Sequence, residues 1–199
     1  MNISFPKEKS IGSTVSLKPE NLRPIVTRGL VFIDSNISDY EQLIAGVKPD
    51  LDVVLIDDYV DGITQITQAL RGYKALSSLH VVTHGAAGKL WLGDGLVSSS
   101  TLNQSREALQ YWTAALAPDA DILLYGCHVA AEDVGERFVQ LLSLFTGANV
   151  AASNTLTGSA ALGGNWELEV KIGQVKTPLA FKAETMEAYN AVLALLVLP

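Results

Sequence analysis

Basic residues are scarce in this 199-residue chain: 14 Lys and Arg stand against 21 Asp and Glu, a formal net charge of −7. With no Lys/Arg cluster to offset it, an acidic surface repels phosphate backbones, so nucleic acid is excluded as an expected partner. A basic substrate is attracted instead, weakly at physiological salt. Cysteine is scarcer still. Cys127 stands alone, so no intramolecular disulfide can form and the redox compartment cannot be read from it. No apolar run reaches the roughly 20 residues a membrane-spanning helix needs. The run Val192–Leu198 is too short, and reads as the end of a packed segment or the cut edge of a longer protein. Met1–Pro24 is polar and has no apolar core of the kind a signal peptide carries. No G-x-S-x-G elbow, phosphate loop or dinucleotide fingerprint occurs, which sets aside serine hydrolases of that type and nucleotide enzymes.

What is present describes one packed domain: 48% hydrophobic and 18% charged residues in a length that suits a single core. Residues 1–28, with Pro6, Pro19 and Pro24 and weak periodicity, read as an arm or linker, and residues 29–199 as the domain. Within it, continuous apolar runs at Leu30–Asp34, Asp52–Ile56, Leu79–Thr83, Asp121–Tyr125 and Asn149–Ser153 read as buried parallel strands. Helical stripes lie between them: Tyr40 to Val47, Ile63 to Tyr73 with Asp61 as cap, Leu102 to Leu116, and Val134 to Phe145 stopped by Gly147. Leu90–Leu96 reads as a small hairpin, and the alternation at Trp166–Val170 as an antiparallel hairpin added at an edge. The expected fold is α/β: a mostly parallel central sheet with helices on both faces, three layers in all.

Ligands of such sheets bind beyond the carboxyl ends of the strands. The strand-end residues are Asp34, Asp57, Asp58, His84, Cys127, His128 and Asn154, a set that holds the only cysteine and two of the three histidines. A cysteine peptidase needs an ionisable thiol, a nearby imidazole and donors for an oxyanion. Cys127 sits where a strand turns toward a helix, whose N-terminus is expected to favour the thiolate. His84 ends the preceding strand, and the N–H groups of Gly85 and Cys127 are placed to face a scissile carbonyl. Asn154, at the end of the fifth strand, is a candidate substrate contact.

The segments LHVVTHGAAGKLWLG and ADILLYGCHVA resemble the histidine and cysteine blocks of the caspase, gingipain, clostripain and legumain clan of cysteine peptidases. With AASNTLTGSAALGGNWELE, they resemble still more a bacterial domain-of-unknown-function family placed in that clan and often found in very large surface or adhesin-like proteins, over roughly Leu30 to Val175. The resemblance implies a caspase-like fold and a dyad without an obligatory third acid. It makes His84 the general acid/base, Cys127 the nucleophile and Gly85 an oxyanion donor, with no cofactor. The implied activity is that of a cysteine endopeptidase acting on a peptide or protein, including its own parent chain or a neighbouring surface protein, exported without a cleaved signal. Asp34 matches the acidic strand-end residue of clan members that cut after Arg or Lys, which implies a basic residue at the cleavage site. Read on its own, Asp34 serves equally as a turn residue. The chain departs from the studied members in its short specificity loops.

Other readings stay open. His80 and His84, four apart on a strand, lie about 13 Å from each other and cannot share one zinc, so His80 reads as a satisfied strand histidine. A zinc site of His84, Cys127 and His128 lacks a spacing signature. Trp91 reads as packing or as a wall of the site. The rival to an enzyme is a non-catalytic module that keeps the fold for interaction or anchoring, with Cys127 a small buried hydrophobe.

Overall fold

The computed structural model describes residues 29–195. The arm expected over residues 1–28 lies outside them, as does the end of the C-terminal apolar run at 196–199. The chain runs β1 (Gly29–Asp34), α1 (Tyr40–Ala45), β2 (Leu51–Ile56), α2 (Gly62–Leu70), β3 (Leu76–Val82), β4 (His84–Ala86), β5 (Lys89–Leu92) and β6 (Gly95–Ser98). It continues through α3 (Ser99–Gln104), α4 (Arg106–Ala115), β7 (Leu116–Tyr125), α5 (Glu132–Thr146), β8 (Asn149–Ala152), β9 (Val170–Ile172) and α6 (Ala183–Ala188).

The five continuous apolar runs become parallel strands, four of them buried and Asp52–Ile56 the partly exposed edge strand β2. They form a six-stranded sheet in the order β2-β1-β3-β7-β8-β9, in which only β9 pairs antiparallel. Alternate residues of β1 serve opposite faces. Leu30 and Phe32 join a cluster with Ile66 of α2, Leu102 of α3, Leu109 and Trp112 of α4, and Phe138 and Leu142 of α5. Val31 and Ile33 join a second cluster with Leu43 of α1, Phe181 and Tyr189. The architecture is therefore a three-layer α/β sandwich. A separate antiparallel sheet, β4-β5-β6, leaves the end of β3.

Local chemistry sets several boundaries. The Asp61 carboxylate accepts the Thr64 N–H at 2.9 Å and starts α2. Gly147, at φ 70°, ends α5 in the left-handed conformation. The stripe from Leu102 to Leu116 is broken at Ser105 into α3 and α4. β7 starts at Leu116 rather than Asp121, with a register shift between its pairings to Leu76 and Ser78 that accommodates Pro118. Of the alternating stretch Trp166–Val170, only Val170 enters a strand, the edge strand β9. Trp166 instead turns inward, its ring 5.5 Å from that of Phe181 and 5.6 Å from that of Tyr189.

His80 is buried in β3, with Nδ1 3.1 Å from the Tyr125 hydroxyl and Nε2 3.1 Å from Ser78 Oγ. Burial, helped by the Lys48 charge, lowers its pKa to about 4. The folded protein thus holds a neutral imidazole where the unfolded chain takes up a proton near pH 6.5. His80 leaves stability intact above pH 6.5 and withdraws it as pH falls toward 4, by about 3 kcal/mol in all. Thermal melts across that window are expected to slope less steeply in His80→Asn than in wild type.

Candidate active site

Val82 of β3 pairs with Tyr125 of β7, and the Thr83 N–H donates to the Tyr125 carbonyl at 3.0 Å. One step further along each chain, β3 gives way to His84-Gly85 and β7 to Gly126-Cys127. The parallel register thereby brings the backbones of His84-Gly85 and Gly126-Cys127 together beyond the sheet's carboxyl edge, on strands about 5 Å apart. The two backbones touch here. A Cβ on Gly85 would lie 2.6 Å from Val129 Cγ2 and 2.8 Å from the Cys127 carbonyl oxygen. Only glycine allows this approach.

Two backbone donors converge. The N–H of Gly85, at 3.0 Å, and that of Cys127, at 3.2 Å, both donate to one oxygen, the carbonyl of Leu193. Leu193 belongs to an extended segment of the chain's own C-terminal region. Its N–H donates to the Thr157 carbonyl at 2.9 Å, and the Ser159 N–H donates to the Ala191 carbonyl at 2.8 Å. Val192 bridges Gly158 antiparallel, and Ala194 bridges Gly85 in parallel. The segment is held by these two isolated bridges, with a bend at Leu193 between them.

The Cys127 side chain is fully buried. Its Sγ accepts the Thr157 N–H at 3.2 Å and lies 3.6 Å from the Thr157 carbonyl, with the S–H placed to donate. Burial raises the thiol's pKa, and the amides of Thr157 and Leu193 pull it back in part. The help expected from a helix N-terminus is missing: α5 begins only at Glu132, after a turn over residues 127–130, so its dipole is spent away from the sulfur.

His84 opens β4 opposite Trp91 of β5. Its Nδ1 is buried and, among the described residues, is the one such side-chain atom without a hydrogen-bond partner. The same histidine lines a cavity of about 410 Å³ with Asn36, Leu162 and the segment Asn190–Val192. His128 turns away from this cavity. It has φ 59°, is exposed, and sets Nδ1 3.2 Å from the Asn154 carbonyl.

Asp34 ends β1 as the strand-end rule requires, but it is buried and committed. One oxygen accepts the Asn36 N–H at 2.8 Å, and the other accepts the Gly93 N–H at 2.7 Å and the Thr83 hydroxyl at 3.4 Å. Burial raises its pKa while these donors oppose the rise. It ties the end of β1 to Thr83, the neighbour of His84, and to the β5–β6 turn. Asn154 is exposed on the rim, its N–H donating to Glu169 at 3.0 Å. Asp57 accepts the Tyr59 N–H in a solvated turn. Among the described residues, no group of three or more His, Cys, Asp or Glu side chains is placed to hold a metal ion, and no helix is long and apolar enough to cross a membrane. Sequence reasoning missed Thr157 and Leu193, which lie 30 and 66 residues beyond Cys127 and carry no local motif.

Fold and site define a three-layer α/β domain in which a cysteine, a histidine and an extended piece of chain meet beyond the sheet. The sequence matches, over residues 30–193, the model of a family described as a domain of unknown function (DUF4347), and the protein belongs to that family. No curated protein matches the chain. Among solved structures, an aromatic-amino-acid aminotransferase from Burkholderia pseudomallei, covalently bound to pyridoxal phosphate, is similar over 63% of this chain at 16% identity and a TM-score of 0.35. The present chain spans 31% of that chain's length, and so slight a likeness carries no argument.

Proposed function

We propose that this domain is a cysteine endopeptidase of the caspase-like clan, with Cys127 as nucleophile and His84 as general acid/base. One observation carries the reading: the amides of Gly85 and Cys127 converge on a single peptide carbonyl oxygen next to the only thiol. In the reaction, the Cys127 thiol gives its proton to His84 and sulfur attacks the carbonyl carbon. The oxyanion that forms is held by the two amides, which need no reorganisation. His84 then protonates the leaving amine, and later draws a proton from the water that hydrolyses the thioester.

The resemblance of the histidine and cysteine blocks also suggests a setting in large surface proteins and processing of the parent chain or a neighbour. The basic preference expected from Asp34 has the engagement of both carboxylate oxygens against it, and an apolar residue before the cleaved bond fits the surroundings of Leu193 better. Fluorogenic peptides with Leu, Arg, Lys, Asp or Asn before the leaving group test both points. Turnover is expected after Leu. It should fall about 10²–10⁴-fold in His84→Ala, as removal of a general acid/base does. Turnover after Arg or Lys restores Asp34 as the specificity residue.

The second reading, a binding module, draws on a separate observation: Cys127 is fully enclosed, with a raised thiol pKa, beneath the chain's own segment. A protein that hydrolyses none of these peptides, in any variant that exposes the thiol, is such a module.

A further inference from the structure

We infer that the segment Ala191–Ala194 is the domain's own substrate, seated for cleavage between Leu193 and Ala194; this rests on the peptidase reading above. The segment makes backbone contacts of the kind a bound substrate makes on both sides of that bond. On the acyl side, the Leu193 N–H and the Ala191 carbonyl pair with Thr157 and Ser159, fixing the register of the strand. At the reacting carbon, the Leu193 carbonyl oxygen takes both converging amides, Gly85 and Cys127. On the leaving side, Ala194 pairs with Gly85, immediately after His84.

The side chains agree with the backbone. Leu193 is fully buried and belongs to the apolar cluster that also contains Ile37, Val82, Tyr125, Cys127 and Tyr189. That is an apolar surrounding suited to a leucine side chain. The neighbouring residues need no specific pocket: Val192 and Ala194 are only partly buried. The recognised chemistry is a short extended apolar peptide with leucine before the cut, held chiefly by its main chain.

The step balances with water alone. A bond forms between Cys127 Sγ and the Leu193 carbonyl carbon as the bond from that carbon to the Ala194 nitrogen breaks. The thiol proton travels through His84 to that nitrogen. Water then attacks the thioester, passing one proton through His84 to the sulfur, and leaves a Leu193 carboxylate. The acid product stays on the two amides, so the cleaved domain is slowed by its own new end until that end is displaced.

The test is intact-mass spectrometry of the full chain over time at neutral pH, with a synthetic peptide spanning residues 187–197 assayed in parallel. Wild type is expected to lose the piece beginning at Ala194, at a rate independent of protein concentration. Cys127→Ala and His84→Ala, each checked for a cooperative melt, should keep full mass. Leu193→Arg should be cleaved at least about 10-fold more slowly, as a pocket built for an apolar side chain rejects a charge. An uncleaved wild-type chain that hydrolyses the peptide overturns the inference and leaves the peptidase reading standing. Cleavage at another bond, or in Cys127→Ala, or faster cleavage of Leu193→Arg, also overturns it. An uncleaved chain inactive on the peptide overturns both.

Discussion

Gly85→Ala should lower peptide turnover by about 10²–10³-fold, the loss that follows removal of an oxyanion donor, in a protein that still folds. The added methyl would sit 2.6 Å from Val129 Cγ2 and 2.8 Å from the Cys127 carbonyl oxygen. The valine methyl can rotate aside, but the carbonyl is backbone and can yield only if β4 moves. Moving β4 carries the Gly85 N–H away from the oxyanion position and shifts His84, which precedes it. Overpacking of this kind also costs about 1–3 kcal/mol of stability, so the melt should come down by several degrees. Turnover within a few-fold of wild type would mean that the Gly85 amide is not a donor in the transition state.

Leu193→Asp should open the site. A carboxylate cannot stay unpaired in the apolar cluster around Leu193, and burying one carries a penalty of several kcal/mol. The segment at 191–194 is held by backbone hydrogen bonds from Gly85, Cys127 and Ser159 and by one to the Thr157 carbonyl, so release of the segment is a cheaper response than unfolding of the sheet. Cys127 is then uncovered. Its pKa, now raised by burial, should fall toward that of an ordinary thiol, since loss of contact with water is the main cause of the rise. Alkylation by iodoacetamide at pH 7 is expected to be at least about 100-fold faster in the variant than in wild type, with both showing a cooperative melt. Equal rates would mean that the segment does not guard the sulfur.

How far the sequence speaks for the site depends on whether the signal is local. Leu30–Asp34 and Leu79–Thr83 were legible as strands because both faces of each are covered, which leaves an unbroken apolar run; Asp52–Ile56 carries the same run at the sheet's half-exposed edge. The strand-end positions of His84, Gly85 and Cys127 were legible because a parallel sheet brings neighbouring strand ends together. Asp34 was legible as a strand-end residue with a turn role as one of its two readings, but its particular partners, the amides of Asn36 and Gly93, belong to turns whose approach no spacing reveals. Trp166 looked like part of an edge hairpin because alternation does not distinguish a strand from an extended stretch packed on Tyr125, Phe181 and Tyr189. Thr157 and Leu193 were out of reach for the same reason. A backbone amide aimed at a sulfur, or a carbonyl aimed at two amides, depends on the folded path and not on residue type.

The central claim is that Cys127 is a nucleophile activated by His84. Its most direct test is the rate at which a chloromethyl ketone bearing Ala-Val-Leu labels the Leu193→Asp protein, followed by intact mass and peptide mapping. The account predicts one adduct per chain, on Cys127, forming at least about 100-fold more slowly when His84 is also replaced by alanine. Labelling of Cys127 at the same rate with and without His84, or no labelling of a thiol that iodoacetamide reaches freely, would contradict it.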